Sequence, residues 1–251
     1  MIQLYKNKNA NVKKLSFLFV AQVFSGMLPA VLFVIYVLQL EERNVWLGIT
    51  FISAMLFSFA GYLIAGRRYN ILVSGYRGEK RLIKIAKKLD GDYSVFTNLP
   101  VRYKKNRSEI DMLLIGESGV LIVEVKNHSG VLTGSSGAET WVQRKYYRKG
   151  KTTEIKMDNP FRQIKRQREI LKSILRANGI DVWVDNILFF SGFVSLRLDL
   201  SANYHVASSE NELVAFIGGY QSRKPLAPGE RDKIIEILKN LNRRTVGGKS
   251  V

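Results

Sequence analysis

Residues 110–126 read IDMLLIGESGVLIVEVK, and this stretch decides the fold. Two apolar, β-branched runs, 110–115 and 120–125, flank Gly116-Glu117-Ser118-Gly119, which is turn chemistry. The spacing predicts a hairpin. With Ile115 opposite Val120, the same register sets Asp111 directly opposite Glu124, their Cβ atoms about 5 Å apart. Side chains alternate along a strand, so Lys126 shares the face of Glu124. Two carboxylates and one ammonium therefore converge at one end of an oily hairpin. Facing like charges destabilise a strand pair unless something offsets them. A divalent cation would do so, and Lys126 does so in part. The plainer reading of the same residues is a solvated ion pair at the charged end of an edge strand.

Composition narrows the chemistry. The chain of 251 residues has room for a small accessory segment and one domain of ordinary size. It has no cysteine, which excludes disulfides and thiolate metal sites. Its two histidines, His128 and His205, argue against a multi-histidine zinc site or a Ser-His-Asp triad. A metal here would be held by oxygens, which favours magnesium, manganese or calcium. The net charge is +18, and after Gly66 there are 34 Lys and Arg against 19 Asp and Glu. So basic a segment suits a polyanion, either nucleic acid or an anionic lipid surface.

The N-terminal third reads as a membrane hairpin. Residues 15–40 and 44–66 carry no charge over 26 and 23 positions. Each exceeds the roughly 20 residues a bilayer span needs. The link Glu41-Glu42-Arg43 is short, so the helices must run antiparallel. The first apolar run is longer than a signal-peptide core, and a second span follows at once, so cleavage is not expected. Lys6, Lys8, Lys13 and Lys14 precede the first span, and Arg67, Arg68, Arg77, Lys80 and Arg81 follow the second. The positive-inside rule then puts both chain ends in the cytoplasm, at the cell membrane. Neither span holds an ionisable residue, so the hairpin reads as an anchor rather than a transporter. The expected organisation is a segment 1–14, a membrane hairpin 15–66 and a cytoplasmic domain 67–251.

In that domain Ser74 can cap a helix running to about Leu89, with Glu79 on or beside its apolar stripe. Residues 93–97 suit a short strand. Residues 100–108 read as a basic loop carrying Arg102, Lys104, Lys105 and Arg107 around Tyr103, a pattern that suits phosphate contact. After Lys126, residues 131–133 and 141–147 look like strands. There Arg144, Lys145, Arg148, Lys149 and Lys151 interleave with Trp141, Tyr146 and Tyr147, a candidate strip for stacking bases and binding phosphates. An exposed basic hairpin explains the same residues. Asp158 or Asn159 caps the next helix, with Pro160 at its first position and Phe161, Ile164, Leu171, Ile174 and Leu175 as its core stripe. Gln163 and Gln167 share another face, flanked by Arg162, Arg166 and Arg168. Residues 182–190 suit a strand buried on both faces. Ser209 to Glu212 form a capping box, and a last helix spans 230–241 before a frayed tail from Arg243.

The order of these pieces resembles the PD-(D/E)-x-K nuclease superfamily. Gly78-Glu79, Glu109-Ile110-Asp111, Glu124-Val125-Lys126-Asn127 with Ser129-Gly130, Trp141, and Asn159-Pro160 with Gln163 resemble, within it, the nuclease-related domain. The likeness covers about 76–187. Ile110 stands where the superfamily motif has proline. The resemblance implies an α/β fold: a restriction-endonuclease-like mixed central sheet flanked by helices. It implies that Asp111 and Glu124 ligate Mg2+ or Mn2+, helped by Glu79 and the Val125 carbonyl. Lys126 would orient or activate the attacking water, and Gln163 would support the site. The expected function is a membrane-anchored, metal-dependent endonuclease acting on nucleic acid, DNA first. The rivals are a silent, tethered nucleic-acid-binding or scaffold module, and a basic domain that serves anionic lipid.

Overall fold

The computed structural model describes residues 2–6, 11–38, 45–147 and 150–246. Contacts divide the chain into two units, Asn9–Tyr76 and a second made of Met1–Lys8 with Arg77–Val251. The linker Glu41-Glu42-Arg43, Lys8, Arg148 and Lys149 lie outside the described residues.

The first unit is built on α1 (Asn11–Leu38) and α2 (Val45–Ala86). Both are long and apolar enough to cross a membrane. They run antiparallel, as contacts at matching heights show. Ser58 Oγ donates to the Ser25 carbonyl at 2.9 Å, and Tyr36 meets Phe51 at 5.6 Å. Small residues line the crossing. A Cβ on Gly26 would stand 3.3 Å from Tyr62, so glycine lets the backbones approach. Large apolar side chains such as Phe17, Phe24 and Phe57 point outward. Ser74 does not cap a new helix: α2 runs unbroken past it, because no proline or glycine pair interrupts its backbone hydrogen bonds.

The second unit holds two sheets. The larger has six strands in the order β1 (Ile2–Lys6), β2 (Tyr93–Tyr103), β3 (Asn106–Gly116), β4 (Gly119–Lys126), β8 (Val184–Phe190) and β10 (Val206–Ala207). The smaller runs β7 (Thr152–Asp158), β6 (Thr140–Tyr146), β5 (Gly130–Ser135) and β9 (Val194–Asp199). Helices α3 (Pro160–Ala177), α4 (Glu210–Gly218) and α5 (Glu230–Val246) complete the unit. This is the mixed, helix-flanked α/β fold expected. On one face of the large sheet Phe96, Leu113, Ile122 and Val184 pack on Leu171 and Ile174 of α3 and Leu238 of α5. On the other, Val95, Leu114, Val123 and Val125 pack on Leu82 and Ile85 of α2 and Leu213 of α4.

The β3–β4 register is the one the sequence implied: Ile115 pairs with Val120 and Met112 with Val123. Strand β4 then pairs with β8 in parallel, Glu124 beside Leu188. Burial of β8 on both faces explains its mostly apolar sequence, with Ile187 to Phe190 all buried. Chains β4–β5 and β8–β9 leave one sheet for the other side by side. They touch where Ser191 N–H donates to the Lys126 carbonyl at 3.0 Å and Gly130 N–H to that of Phe193 at 3.1 Å. A Cβ on Gly192 would lie 2.0 Å from the His128 carbonyl oxygen, so only glycine permits this contact.

Further features depart from the reading of the sequence. Residues 100–108 are not a loop: β2 and β3 pair continuously through Val101↔Ser108, Arg102↔Arg107 and Tyr103↔Asn106. Lys104, at φ 52°, makes the tight turn. Strand β1 was not foreseen, and it extends the sheet in parallel with β2, Tyr5 stacking on Phe96 at 4.6 Å. Strand β7 was also missed; it is an edge strand with almost every side chain exposed. The final helix runs on to Val246, past the expected frayed start at Arg243.

Candidate active site

The site forms where β3, β4 and α3 meet. Glu124 is fully buried and belongs to the β4 face that packs on α3. Its Oε1 accepts from Lys126 Nζ at 2.5 Å, and its Oε2 accepts from Gln167 Nε2 at 2.7 Å. Lys126 Nζ also donates to Gln163 Oε1 at 3.0 Å. Alternation along β4 puts Glu124 and Lys126 on one face, and the i, i+4 spacing of α3 sets the two glutamines over them.

Asp111 lies across from Glu124 and is half-buried. Its Oδ2 accepts from the Val125 backbone N–H at 2.9 Å. Burial and the facing Glu124 carboxylate hold its pKa well above the usual 3.8; the Val125 hydrogen bond and Lys126 oppose this, and Glu79 adds to it. Asp111 also marks a slip in side-chain alternation. Leu113 and Ile115 face the α3 core, yet so does Ile110, three residues before Leu113. In β2 the same slip separates Phe96 from Leu99. Asn98, between them, has φ 51° and is buried at the position opposite Asp111, flanked by the pairs Thr97↔Met112 and Leu99↔Ile110. A left-handed residue in a strand re-aims its neighbours. Sequence reasoning missed Asn98, although asparagine is a residue type that tolerates this conformation.

Glu79 approaches from the other face. It lies on α2 just before Leu82 and Ile85, which pack with Val125 rather than with Glu124. Gly78 allows the approach: a Cβ there would stand 3.2 Å from Val125 Cγ2 and from Ser191 Oγ. Among the described residues no three acids or histidines cluster closely enough to hold an ion together. The Glu79 charge bears on Asp111, raising its pKa.

A groove of about 600 Å3 opens beside Lys126, lined by Met157, Asp158, Asn159, Arg162, Gln163 and Arg166. Asn159 builds it. Its Oδ1 accepts from Phe161 N–H at 3.0 Å, capping α3, while its Nδ2 donates to the carbonyls of Ser136 and Ala138 at 3.1 and 2.7 Å. The positive helix end, two arginines and Lys126 thus face one groove.

The other predicted contact residues lie elsewhere. Arg102, Lys104, Lys105 and Arg107 are exposed on the β2–β3 ribbon, which runs four residues past Ile110, about 13 Å at 3.3 Å per residue. On β6, Arg144 pairs with Glu154 and Tyr146 is exposed, while Lys145 is half-buried. Trp141 cannot stack a base: it is fully buried, and its Nε1 donates to the Ser135 carbonyl at 2.8 Å. Odd and even positions of β6 face opposite sides, so Trp141 and Tyr146 never shared a surface. Arg148 lies outside the described residues. Gln167, noted only as a neighbour of Gln163, turns out to touch the central carboxylate directly.

The metal question turns on charge. Asp111, Glu124 and Lys126 sum to −1, and Glu79 deepens the negative potential. Two facing, desolvated carboxylates need a proton or a cation between them. The raised Asp111 pKa is that need met by a proton, and all the donors are hard oxygens. The residues fit a divalent cation held by Asp111 and Glu124.

The family model of the nuclease-related domain matches residues 74–191. An uncharacterized protein of Bacillus anthracis is 35% identical over 91 residues, which are 36% of this chain. The chain covers 41% of that relative's length. No solved structure matches. The matched segment begins before Gly78 and ends at Ser191, so it encloses the carboxylate hairpin, the strand-rich insert and the helix carrying both glutamines. Residues 74–191 are thus similar to the nuclease-related domain, a likeness that suggests a nuclease-like fold and a divalent metal cofactor.

Proposed function

We propose that the protein is a membrane-anchored, Mg2+- or Mn2+-dependent endonuclease that hydrolyses phosphodiester bonds, with DNA as its substrate. The observation that carries this reading is the buried Glu124 paired with a half-buried Lys126 and facing Asp111, at the wall of a groove that also presents Arg162 and Arg166. When bound, a hard divalent cation lowers the pKa of a water and polarises a phosphodiester. The chain's own residues do the rest. Arg162 and Arg166 hold phosphate oxygens along the groove. Lys126, aimed by Glu124 and Gln163, orients the attacking water and stabilises charge developing on the phosphorus oxygens. The exposed cations of the β2–β3 ribbon, with Tyr103, and of β6, with Tyr146, extend the polyanion contact beyond the groove.

Membrane anchoring rests on α1 and α2. Their apolar side chains are exposed, unlike those of a soluble core helix, and two successive spans do not suit a signal sequence. Basic flanks on both sides of the hairpin orient the nuclease unit to the cytoplasm. A second reading has one observation in its favour: both Glu124 oxygens are already engaged, as in a site kept for structure. That reading is a tethered nucleic-acid-binding module that does not cut. The full chain in detergent separates them. Plasmid DNA is incubated with Mg2+, Mn2+ or EDTA, beside Glu124→Ala and Lys126→Ala. Cleavage that needs metal and both residues supports the nuclease. Salt-sensitive DNA binding without cleavage supports the binding module.

A further inference from the structure

Two glutamines one turn apart on α3 meet the Glu124–Lys126 pair with opposite polarity. Gln163 presents its carbonyl oxygen to the ammonium, and Gln167 presents its N–H to the carboxylate. The polarity of Gln167 is not open to exchange. Its Nε2 also donates to the Glu109 carbonyl at 2.7 Å, and both partners are acceptors. Turning the amide over would set oxygen against oxygen twice. Its Oε1 is buried and has no hydrogen-bond partner among the described residues, so the residue is not held by a bond on that side. Gln167 itself is fully buried in the middle of the α3 stripe, where an apolar residue would cost less unless the polar contacts mattered.

We propose that Gln167 is a positioning residue: its amide N–H fixes the Glu124 carboxylate on Lys126 and ties it to the β3 backbone at Glu109, two residues before Asp111. The geometry makes three elements depend on one side chain. Strand β3 carries Asp111, β4 carries Glu124 and Lys126, and α3 carries Gln167. Gln163 holds the ammonium end from the same helix, so the ion pair is gripped at both ends by neutral groups that leave its charge unchanged. For metal affinity the inference rests on the nuclease reading above; the positioning of Glu124 on Lys126 does not. Partners of a metal-binding carboxylate that do not touch the ion typically change affinity 10- to 100-fold when removed.

The test uses the full chain in detergent and the near-isosteric Gln167→Met, with Ile170→Val as a packing control on the same helix. One arm needs no metal. Thermal unfolding of Glu124→Gln, Lys126→Met and their double variant measures how strongly the two residues are coupled. The coupling is expected to fall by at least half in the Gln167→Met background and to be unchanged with Ile170→Val. The second arm titrates Mn2+ calorimetrically, where Gln167→Met is expected to weaken binding about 10-fold or more. Unchanged coupling in a folded Gln167→Met protein overturns the proposal. So does Mn2+ affinity within twofold of the parent. If the parent itself binds no Mn2+, the nuclease reading fails, and the coupling arm alone decides the role of Gln167.

Discussion

At the scale of single residues, two titrating groups make the account testable. Asp111 has a folded pKa raised above its ordinary 3.8 by burial and by Glu124. For an acid raised in the fold, the neutral form is the favoured one. Stability is therefore greatest below the unfolded value and is lost as pH climbs through 3.8 toward the folded value. Asp111→Asn removes this loss. The variant should melt several degrees higher than the parent in EDTA at neutral pH, and it should not cut. A calorimetric scan across pH checks the first half, and an equal or lower melting temperature for Asp111→Asn would contradict it. Metal must displace the Asp111 proton, so Mn2+ affinity should rise with pH and binding should release protons. His128 behaves in the opposite sense. Burial and the nearby Lys126 and Lys145 push it down from 6.5 to about 4. The unfolded chain takes up its proton first, so stability falls as pH drops from about 6.5 to about 4. Its imidazole signals should titrate near pH 4 by NMR.

Secondary-structure elements show how much of this was legible. The β3–β4 hairpin could be read in register because both strands are β-branched and the turn is bounded by glycines. The cap of α3 was equally clear, since Asn159-Pro160 is a local signal. What the sequence hid was non-local or chemically atypical. The β2–β3 turn uses Lys104 at positive φ where a glycine or asparagine is the usual cue, so a long ribbon read as a basic loop. Strands β1 and β7 lie at sheet edges; IQLYK is only five residues long, and TTEIKMD alternates but offers just two apolar side chains, Ile155 and Met157. Trp141 was placed on the nucleic-acid strip by composition, although period-two alternation already set it against Tyr146. Gln167 looked like one more polar residue until the fold brought Glu124 beneath it. These elements also predict costs. Asn159→Ala loses a helix cap and the bonds to Ser136 and Ala138, and should destabilise by about 1–3 kcal/mol in thermal melts. Trp141→Ala leaves a cavity under the small sheet and should cost about 3–5 kcal/mol.

For the molecule as a whole, the N-terminal strand changes how the chain must be handled. The helical hairpin is inserted between β1 and the rest of its own sheet, so the two-sheet unit is discontinuous in sequence. Removing residues 2–6 strips β2 of a parallel partner and Phe96 of its Tyr5 stack. A chain starting at Arg77 should melt lower than the full protein and self-associate through the bared β2 edge, as size-exclusion chromatography would show. Equal stability of the two would contradict the sheet order. The charge of +18 belongs to this scale too. DNA binding by the full chain should weaken steeply between 50 and 200 mM salt, on the order of 10-fold or more. The most direct measurement of the central claim is plasmid cleavage by the full-length protein in detergent, with Mn2+ or Mg2+ against EDTA. The account predicts cleavage that stops with EDTA and falls about 100-fold or more in Lys126→Ala. Cleavage that survives EDTA, or that is unchanged in folded Glu124→Ala and Lys126→Ala proteins, would contradict it.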